Sequence, residues 1–256
     1  MPVFIGTSGW HYQHWRGLFY PRSLRSGEWL ELYARRFATV EINNAFYRLP
    51  EVAAVAGWAA TVPDDFVMAV KASRYLTHVR RLHDPEEAVT RMLERMAGLG
   101  AKFGPLLLQL PPNLRIDTAA LDSTLAALSG RPVAVEFRHP SWFTTETRRL
   151  LEKFDAALCL TDSRGPQTPR WRTAAWGYVR FHQGRAQPPS GYGPAALQTW
   201  ANHLAELWPD SADLYAYFNN DMHGCAPRDA RRFAAAVSRA GLTPTRVPSS
   251  RQTPTA

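Results

Sequence analysis

The chain has 256 residues, 45% of them hydrophobic, and a formal net charge of +8. This length allows one large domain or two small ones, and no stretch reaches the roughly 18 apolar residues that a membrane span needs. Its first residues, MPVFIGTSGW, have neither a basic region nor a long apolar run, so no signal peptide is expected. Cys159 and Cys225 lie far apart and outside any metal-binding spacing. We therefore expect a cytoplasmic protein with two structural thiols.

The positive charge points weakly to anionic partners. Only three of the 30 basic residues are lysines, and the arginines are spread from Arg16 to Arg251. A dense basic block of the kind that marks a nucleic-acid-binding tail is missing from the sequence. We interpret most of the charge as a solvated surface, and nucleic acid remains an alternative partner.

Short apolar runs recur along the chain and predict eight strands. Each run has four to seven residues, mostly β-branched, aliphatic or aromatic, as buried parallel strands do. The runs are VFIG (3–6), TVEIN (39–43), FVMAVKA (66–72), PLLLQL (105–110), PVAVEF (132–137), AALCLT (156–161), WGYVRF (176–181) and DLYAYF (213–218).

Helical periodicity separates several of these runs. Apolar residues fall on one helical face at 26–37, 84–100, 117–130, 150–154 and 226–240. Eight strands alternating with helices predict an α/β fold, a single TIM-type (β/α)8 barrel domain spanning 1–242. The segment 163–175 holds two prolines and a glycine without a helical stripe, so an irregular loop is expected to replace the helix between strands six and seven. The remainder, 243–256, is rich in Pro, Ser and Thr and is expected to be a flexible tail.

Polar side chains stand at the carboxyl ends of most predicted strands, where the active sites of such barrels form. Because side chains alternate along a strand, Glu136 and Arg138 are expected to point the same way, as are Arg180 and His182. The candidate catalytic residues are Glu136, Glu41, Lys71, Asp162 and His182. The candidate substrate-binding residues are Arg138, Arg180, Asn43, Tyr47, Gln109, Asn219, Asn220, Trp10 and Ser8.

The residue types indicate acid–base chemistry on an anion. Lys71, Arg138 and Arg180 suit phosphate or carboxylate oxygens, and Glu136 or Glu41 can transfer a proton. Lys71 acting as a Schiff-base nucleophile is an alternative. No cofactor is expected, with a divalent metal ion as the alternative, bound by ligands drawn from Glu136, Asp162, His182 and Asn219. A third interpretation makes Glu136 and Arg138 a structural ion pair.

Aromatic residues near the strand ends allow two interpretations. Flat rings around a charged site suit stacking on a base or a sugar, whereas loop packing over the strand ends would bury them. The set is Trp10, Tyr12, Trp15, Phe46, Tyr47, Trp142 and Phe143.

Seven stretches carry a resemblance to a known family. They are GTSGWHYQHWRGLFYP (6–21), FATVEINNAFYRLP (37–50), VMAVKASRYLTH (67–78), PLLLQLPPNL (105–114), VAVEFRHPSW (133–142), YVRFH (178–182) and YAYFNNDMHGCAPRDA (215–230). Together they resemble the YecE-like family, domain of unknown function 72. The resemblance implies a TIM-barrel-type fold and supplies no activity. Its motif positions fall on Trp10, Glu41, Asn43, Tyr47, Lys71, Gln109, Glu136, Arg138, His139, Pro140, Arg180, His182, Asn219, Asn220 and Asp221.

The chain departs from the family pattern at a few positions. Ala45 stands where a Ser or Thr is expected, Gln183 lengthens the HQGR loop, and Cys225 opens CAPRDA in place of a Tyr. None of these changes removes a charged group at a strand end. The leading hypothesis is an enzyme for a phosphorylated sugar or nucleotide-like substrate. The alternatives are a nucleic-acid-binding or processing protein and a non-catalytic binding barrel, and the sequence leaves the oligomeric state open.

Overall fold

A computed structural model describes residues 2–162, 167–209 and 212–250 of the chain. Within these residues, all eight predicted strands are present and a ninth follows them. The strands are β1 (Pro2–Thr7), β2 (Thr39–Ile42), β3 (Val67–Lys71), β4 (Phe103–Gln109), β5 (Val133–Glu136), β6 (Ala157–Thr161), β7 (Gly177–Phe181), β8 (Leu214–Phe218) and β9 (Thr243–Pro244). The helices are α1 (Trp29–Arg36), α2 (Asn44–Tyr47), α3 (Val52–Thr61), α4 (Pro85–Met96), α5 (Thr118–Ala127), α6 (Thr145–Lys153), α7 (Pro194–Leu207) and α8 (Cys225–Arg239).

The α/β prediction is confirmed, but the closed eight-stranded barrel is wrong. The sheet has nine strands in the order β2-β3-β4-β5-β6-β7-β8-β1-β9, so β2 and β9 stand at its two ends. The reason lies at β1, where β9 pairs with Pro2 and Val3 in parallel. Because β9 takes the amino-terminal half of that edge, β2 meets β1 at the carboxyl end, through a single parallel bridge between Ser8 and Glu41.

The start of the predicted flexible tail is therefore part of the sheet. The backbone N–H of Thr245 donates to the carbonyl oxygen of Val3 at 2.9 Å, and the Arg246 guanidinium lies 2.9 Å from the Asp65 carboxylate. The free edge of β1 offers unpaired backbone groups, and these bind a segment whose composition alone predicts no strand. Residues 251–256 lie outside the described part of the chain.

Local signals account for the predicted helices, all five of which are present. Asp117 caps α5 by accepting a hydrogen bond from the Ala120 N–H at 2.9 Å, and Thr144 caps α6 in the same way. The periodicity analysis did not predict α2, α3 or α7. Residues 167–176 contain no helix, as the prolines predicted for this crossover, while 163–166 lie outside the described residues.

The chain divides into two compact units. The first holds the described residues within 1–41, 61–67 and 179–256, and the second holds 42–60 and the described residues within 68–178. In the first unit, Tyr20 stacks on Trp29 with ring centroids 4.7 Å apart, and Tyr33 stacks on Phe37 at the same separation. In the second unit, Phe137 stacks on Trp142, also at 4.7 Å, beside the β5 end.

Replacing Gly6 with alanine is expected to destabilise the protein by about 1–3 kcal/mol, because overpacking forces backbone shifts. A Cβ atom at Gly6 would stand 2.4 Å from the backbone oxygen of Thr39, which cannot move without disturbing β2. Urea unfolding measures the loss. The matched control is Gly57→Ala in α3, where a Cβ meets nothing within 4 Å and the change should be neutral or stabilising. Equal stability of Gly6→Ala and the parent protein would contradict the close approach.

Candidate functional site

The first unit contains a buried ion pair at the strand ends. The Arg180 Nη2 atom on β7 lies 2.8 Å from Glu41 Oε1 on β2, and the two side chains are 1% and 0% exposed. The Ser8 hydroxyl after β1 donates to the same carboxylate oxygen at 2.8 Å. Three predicted site residues therefore meet here. Burying such a pair is costly, and the hydrogen bond from the Ser8 hydroxyl offsets part of that cost.

A second polar group in the first unit follows β7 and β8. The side chains of Asn219 and His182 lie within hydrogen-bond distance, with Nδ2 3.2 Å from Nδ1. Asn220 is buried, and its Nδ2 donates to Asp229 Oδ2 and to the Ser190 carbonyl oxygen, each at 2.9 Å. The Nδ2 group of Asn220, a predicted substrate-binding residue, is thus bonded to α8 and to the Ser190 carbonyl.

Asp229 is the centre of that network, and the sequence analysis did not single it out. Its carboxylate is fully buried and also accepts hydrogen bonds from Arg228 Nε at 3.0 Å and from the Tyr192 N–H at 2.9 Å. Arg228 Nη2 lies 3.5 Å from the Cys225 sulfur, and burial raises the pKa of that thiol. Both cysteines are buried and free, in agreement with the predicted structural thiols.

The second unit contains its own buried carboxylate, Glu136 at the end of β5. Gln109 on β4 is its register partner and donates from Nε2 to Glu136 Oε1 at 2.9 Å. Arg138 donates from Nε to the same oxygen at 3.0 Å, as the alternation of side chains predicted. Glu136 is 0% exposed, whereas the Arg138 side chain is 34% exposed. The Arg138 guanidinium therefore contacts the buried carboxylate on one side and is partly exposed to the solvent.

Lys71 ends β3 in the same unit and is nearly buried. Its Nζ atom lies 3.9 Å from the centroid of the Phe46 ring. The edge of that ring contacts His78, at 5.0 Å between centroids. A ring face attracts an ammonium group, so the contact holds the Lys71 charge at the strand end.

The pKa of His78 is affected by the positive charge at this strand end. Burial, followed by the charges of Lys71, Arg74, Arg138 and Arg81, lowers its pKa to about 4. The imidazole is therefore neutral near pH 7, and the charges of four cations act on it. Of these, Arg74 and Arg81 were not predicted as site residues, although Arg74 lies within the VMAVKASRYLTH motif and Arg81 follows it.

The stability of the protein should fall as the pH drops from about 6.5 to about 4. Unfolded His78 takes up a proton near its ordinary pKa of 6.5, whereas the folded state resists protonation down to about 4. Protonation thus favours the unfolded state throughout this window. His78→Gln should flatten the pH profile of the free energy of unfolding by roughly 1–2 kcal/mol, a value reduced for the partial solvent exposure of the ring. An unchanged profile in urea titrations at both pH limits would contradict this assignment.

The other predicted residues occupy different environments. Trp10 is buried and its carbonyl oxygen accepts a hydrogen bond from the Tyr20 hydroxyl at 2.6 Å, and Trp15 and Trp142 are buried as well. For these three rings the loop-packing interpretation is correct. Tyr47 is 81% exposed on α2, and Asp162 and Asn43 are partly buried.

The described residues contain neither a metal-binding group of side chains nor a helix that could cross a membrane. In 2–162, 167–209 and 212–250, no three or more His, Cys, Asp or Glu side chains are grouped so that they could hold a metal ion. Over the same ranges, none of the helices has both the length and the apolar character needed to cross a membrane.

These features define a class of protein, a parallel α/β protein with buried ionisable residues at the carboxyl ends of its strands. A family model described as "Protein of unknown function DUF72" matches residues 4–253. The chain belongs to the DUF72 family, so the resemblance noted in its motifs is confirmed.

Relatives agree with this assignment. The chain is 25% identical to the UPF0759 protein YunF of Bacillus subtilis (strain 168), over 94% of this chain and 98% of that protein. It is 34% identical to the UPF0759 protein YecE of Escherichia coli (strain K12) over 143 residues, 55% of this chain and 50% of YecE.

Solved structures of the family share the fold. A DUF72 family protein from Thermotoga maritima MSB8 has a TM-score of 0.81 and 25% identity, over 93% of this chain and 100% of that one. Another from Enterococcus faecalis V583 has a TM-score of 0.78 and 19% identity, over 92% and 95%.

Proposed function

We propose that the protein is an enzyme for a small anionic substrate, a phosphorylated sugar or a nucleotide-like compound, bound at the carboxyl ends of β3, β4 and β5. The observation that carries this proposal is the Glu136 carboxylate, which is fully buried while its partner Arg138 is 34% exposed. A ligand bound to the outer face of that guanidinium would lie close to a positioned carboxylate. Buried carboxylates beside a specific charged partner are typical of groups that transfer protons.

The surrounding charge supports an anionic substrate. Lys71, Arg74, Arg81 and Arg138 all act on His78, so positive charge is concentrated in one part of the second unit. Guanidinium groups fit phosphate and carboxylate oxygens in a bidentate way. In the proposed reaction Arg138 and Lys71 bind the anion, Glu136 transfers a proton, and Gln109 orients the carboxylate.

Lys71 is better placed for binding than for covalent chemistry. A Schiff-base lysine needs a neutral amine, whereas the Phe46 ring favours the charged ammonium group. In the first unit, Glu41 and Arg180 are bonded to each other and are 0% and 1% exposed, so neither group reaches the solvent, and the proposal gives them no part in proton transfer or anion binding. Asp162, in the second unit, stays a candidate for contact with the substrate, whereas His182 and Asn219 belong to the first unit and have no part in this proposal.

A substrate at about 100 times its dissociation constant should raise the melting temperature by roughly 5–10 °C, because such binding stabilises by about 2.7 kcal/mol. The measurement is a thermal-shift screen of phosphorylated sugars, nucleotides and organic acids at fixed low salt. Arg138→Ala should abolish the shift. Glu136→Gln should retain binding and lower the rate of any turnover by about 10²–10⁴, the usual contribution of acid–base catalysis.

Arg149→Ala is the matched control, since this arginine is exposed on α6 and carries the same charge. The control should keep the full shift and rate. If Arg138→Ala and Glu136→Gln leave both ligand binding and turnover unchanged, the proposal is wrong.

The two alternatives predict other results. Nucleic-acid binding should weaken steeply between low and physiological salt, because counterion release drives it. The rings of Trp10, Trp15 and Trp142 are buried, so these three predicted aromatic residues are not available to stack on the bases of a single strand. A non-catalytic binding protein would show saturable binding of the ligand without turnover.

A further inference from the structure

A separate cavity in the second unit lies outside the set of residues that bond to Glu136. It has a volume of about 480 Å³, within the range of small-molecule sites. The wall combines α2, the segment between α2 and α3, residues after β3 and one face of α4. Its lining includes three arginines and two tyrosines, namely Arg48, Arg91, Arg95, Tyr47 and Tyr75.

Three arginines and one glutamate line this cavity. Arg95 is bonded to Glu51, with Nη1 2.7 Å from Oε2. Across the described residues, by contrast, neither Arg48 nor Arg91 has an ion-pair partner, and both are exposed. Arg91 and Arg95 stand one turn apart on α4, so they project from the same face of the helix. The cavity therefore has an uncompensated positive charge arranged for an anion.

Two tyrosine rings give the cavity a second property. Tyr47 is 81% exposed and Tyr75 is 48% exposed. Within 2–162, 167–209 and 212–250 they are the two large aromatic side chains left exposed, and both line this cavity. Exposed flat rings are costly in water and suit stacking on a planar ligand. Phe46, whose ring contacts the Lys71 ammonium group, also lines the cavity.

We propose that this cavity binds a nucleoside monophosphate, with its phosphate on Arg48, Arg91 and Arg95 and its base against Tyr47 or Tyr75. The ligand class follows from combining guanidinium forks with exposed aromatic rings in a cavity of this size. This site goes beyond the proposed reaction at Glu136 and does not depend on it.

Calorimetric titration of the full chain with adenosine monophosphate at fixed low salt tests the proposal. Saturable binding with one ligand per chain is expected. Arg91→Ala should weaken it about tenfold or more, the loss of one charge-assisted phosphate contact. Tyr47→Ala combined with Tyr75→Ala should weaken it by a similar factor, because stacking contributes on the same scale. Adenosine and ribose 5-phosphate each lack one of the two recognised groups and should bind at least about tenfold more weakly.

Matched variants separate this site from the one at Glu136. Arg149→Ala should leave the affinity for adenosine monophosphate unchanged, and Arg91→Ala should leave unchanged the thermal shift given by a substrate bound at Glu136. If Arg138→Ala abolishes binding and Arg91→Ala does not, the nucleotide binds at the proposed catalytic site and this inference is wrong. It is also wrong if ribose 5-phosphate binds as tightly as the nucleotide, or if millimolar nucleotide produces no saturable heat.

Discussion

Replacing Arg180 with alanine is expected to lower the free energy of unfolding by about 3–5 kcal/mol, the usual cost of removing one partner of a buried ion pair. Arg180 and Glu41 are 1% and 0% exposed, and the Nη2 to Oε1 distance is 2.8 Å. The variant retains the hydrogen bond from Ser8 to the carboxylate but removes the guanidinium. A carboxylate kept out of water without that charge is costly, because desolvation is no longer offset.

Urea unfolding of Arg180→Ala gives the measurement, with the exposed Arg149→Ala as the control of equal charge change. The control should shift stability by less than about 0.5 kcal/mol. The double variant Glu41→Leu with Arg180→Met should be more stable than Arg180→Ala, since it removes both charges at similar volume. A loss below about 1 kcal/mol in Arg180→Ala would show that the pair does not hold these strand ends together.

Asp229→Ala is expected to destabilise the protein by a similar amount, about 3–5 kcal/mol. The change deprives three donors of their acceptor, namely Arg228 Nε, Asn220 Nδ2 and the Tyr192 N–H, which lie 2.9–3.0 Å from the carboxylate. Arg228 and Asn220 are both 3% exposed, so water cannot easily replace the lost oxygen atoms.

The control for this change is Asp213→Ala, which removes the same side chain from an exposed position before β8. Asp229→Asn should be intermediate, because its amide keeps one acceptor oxygen and presents two N–H groups to the donors. Asn220→Ala should then reduce the free energy of unfolding by more than it reduces the free energy of ligand binding. If Asp229→Ala unfolds at the same urea concentration as the parent protein, the network is not structural.

Much of the second unit's candidate site could be predicted from neighbouring residues. Glu136 and Arg138 are two positions apart, and alternation along a strand places both side chains on one face. The structure shows them bonded at 3.0 Å. The role of Asn220 was not predictable in this way, because its partner Asp229 belongs to a helix whose facing surface depends on how α8 packs.

The sequence by itself determined eight of the strands and five of the helices. Apolar runs of four to seven residues predicted strands β1 to β8, and caps with helical periodicity predicted α1, α4, α5, α6 and α8. Both signals arise from residues within one or two turns or pleats of each other, so they can be recognised without knowing the fold.

Only the tertiary structure decided which charges pair and where the sheet ends. Glu41 and Arg180 are 139 positions apart, and β9 binds β1 from the other end of the chain. The cavity around Arg91 likewise combines α2, the segment that follows it, residues after β3 and α4. Hydrogen bonds and ion pairs depend on distances of about 3 Å between atoms, and folding alone brings residues so remote in sequence to that separation.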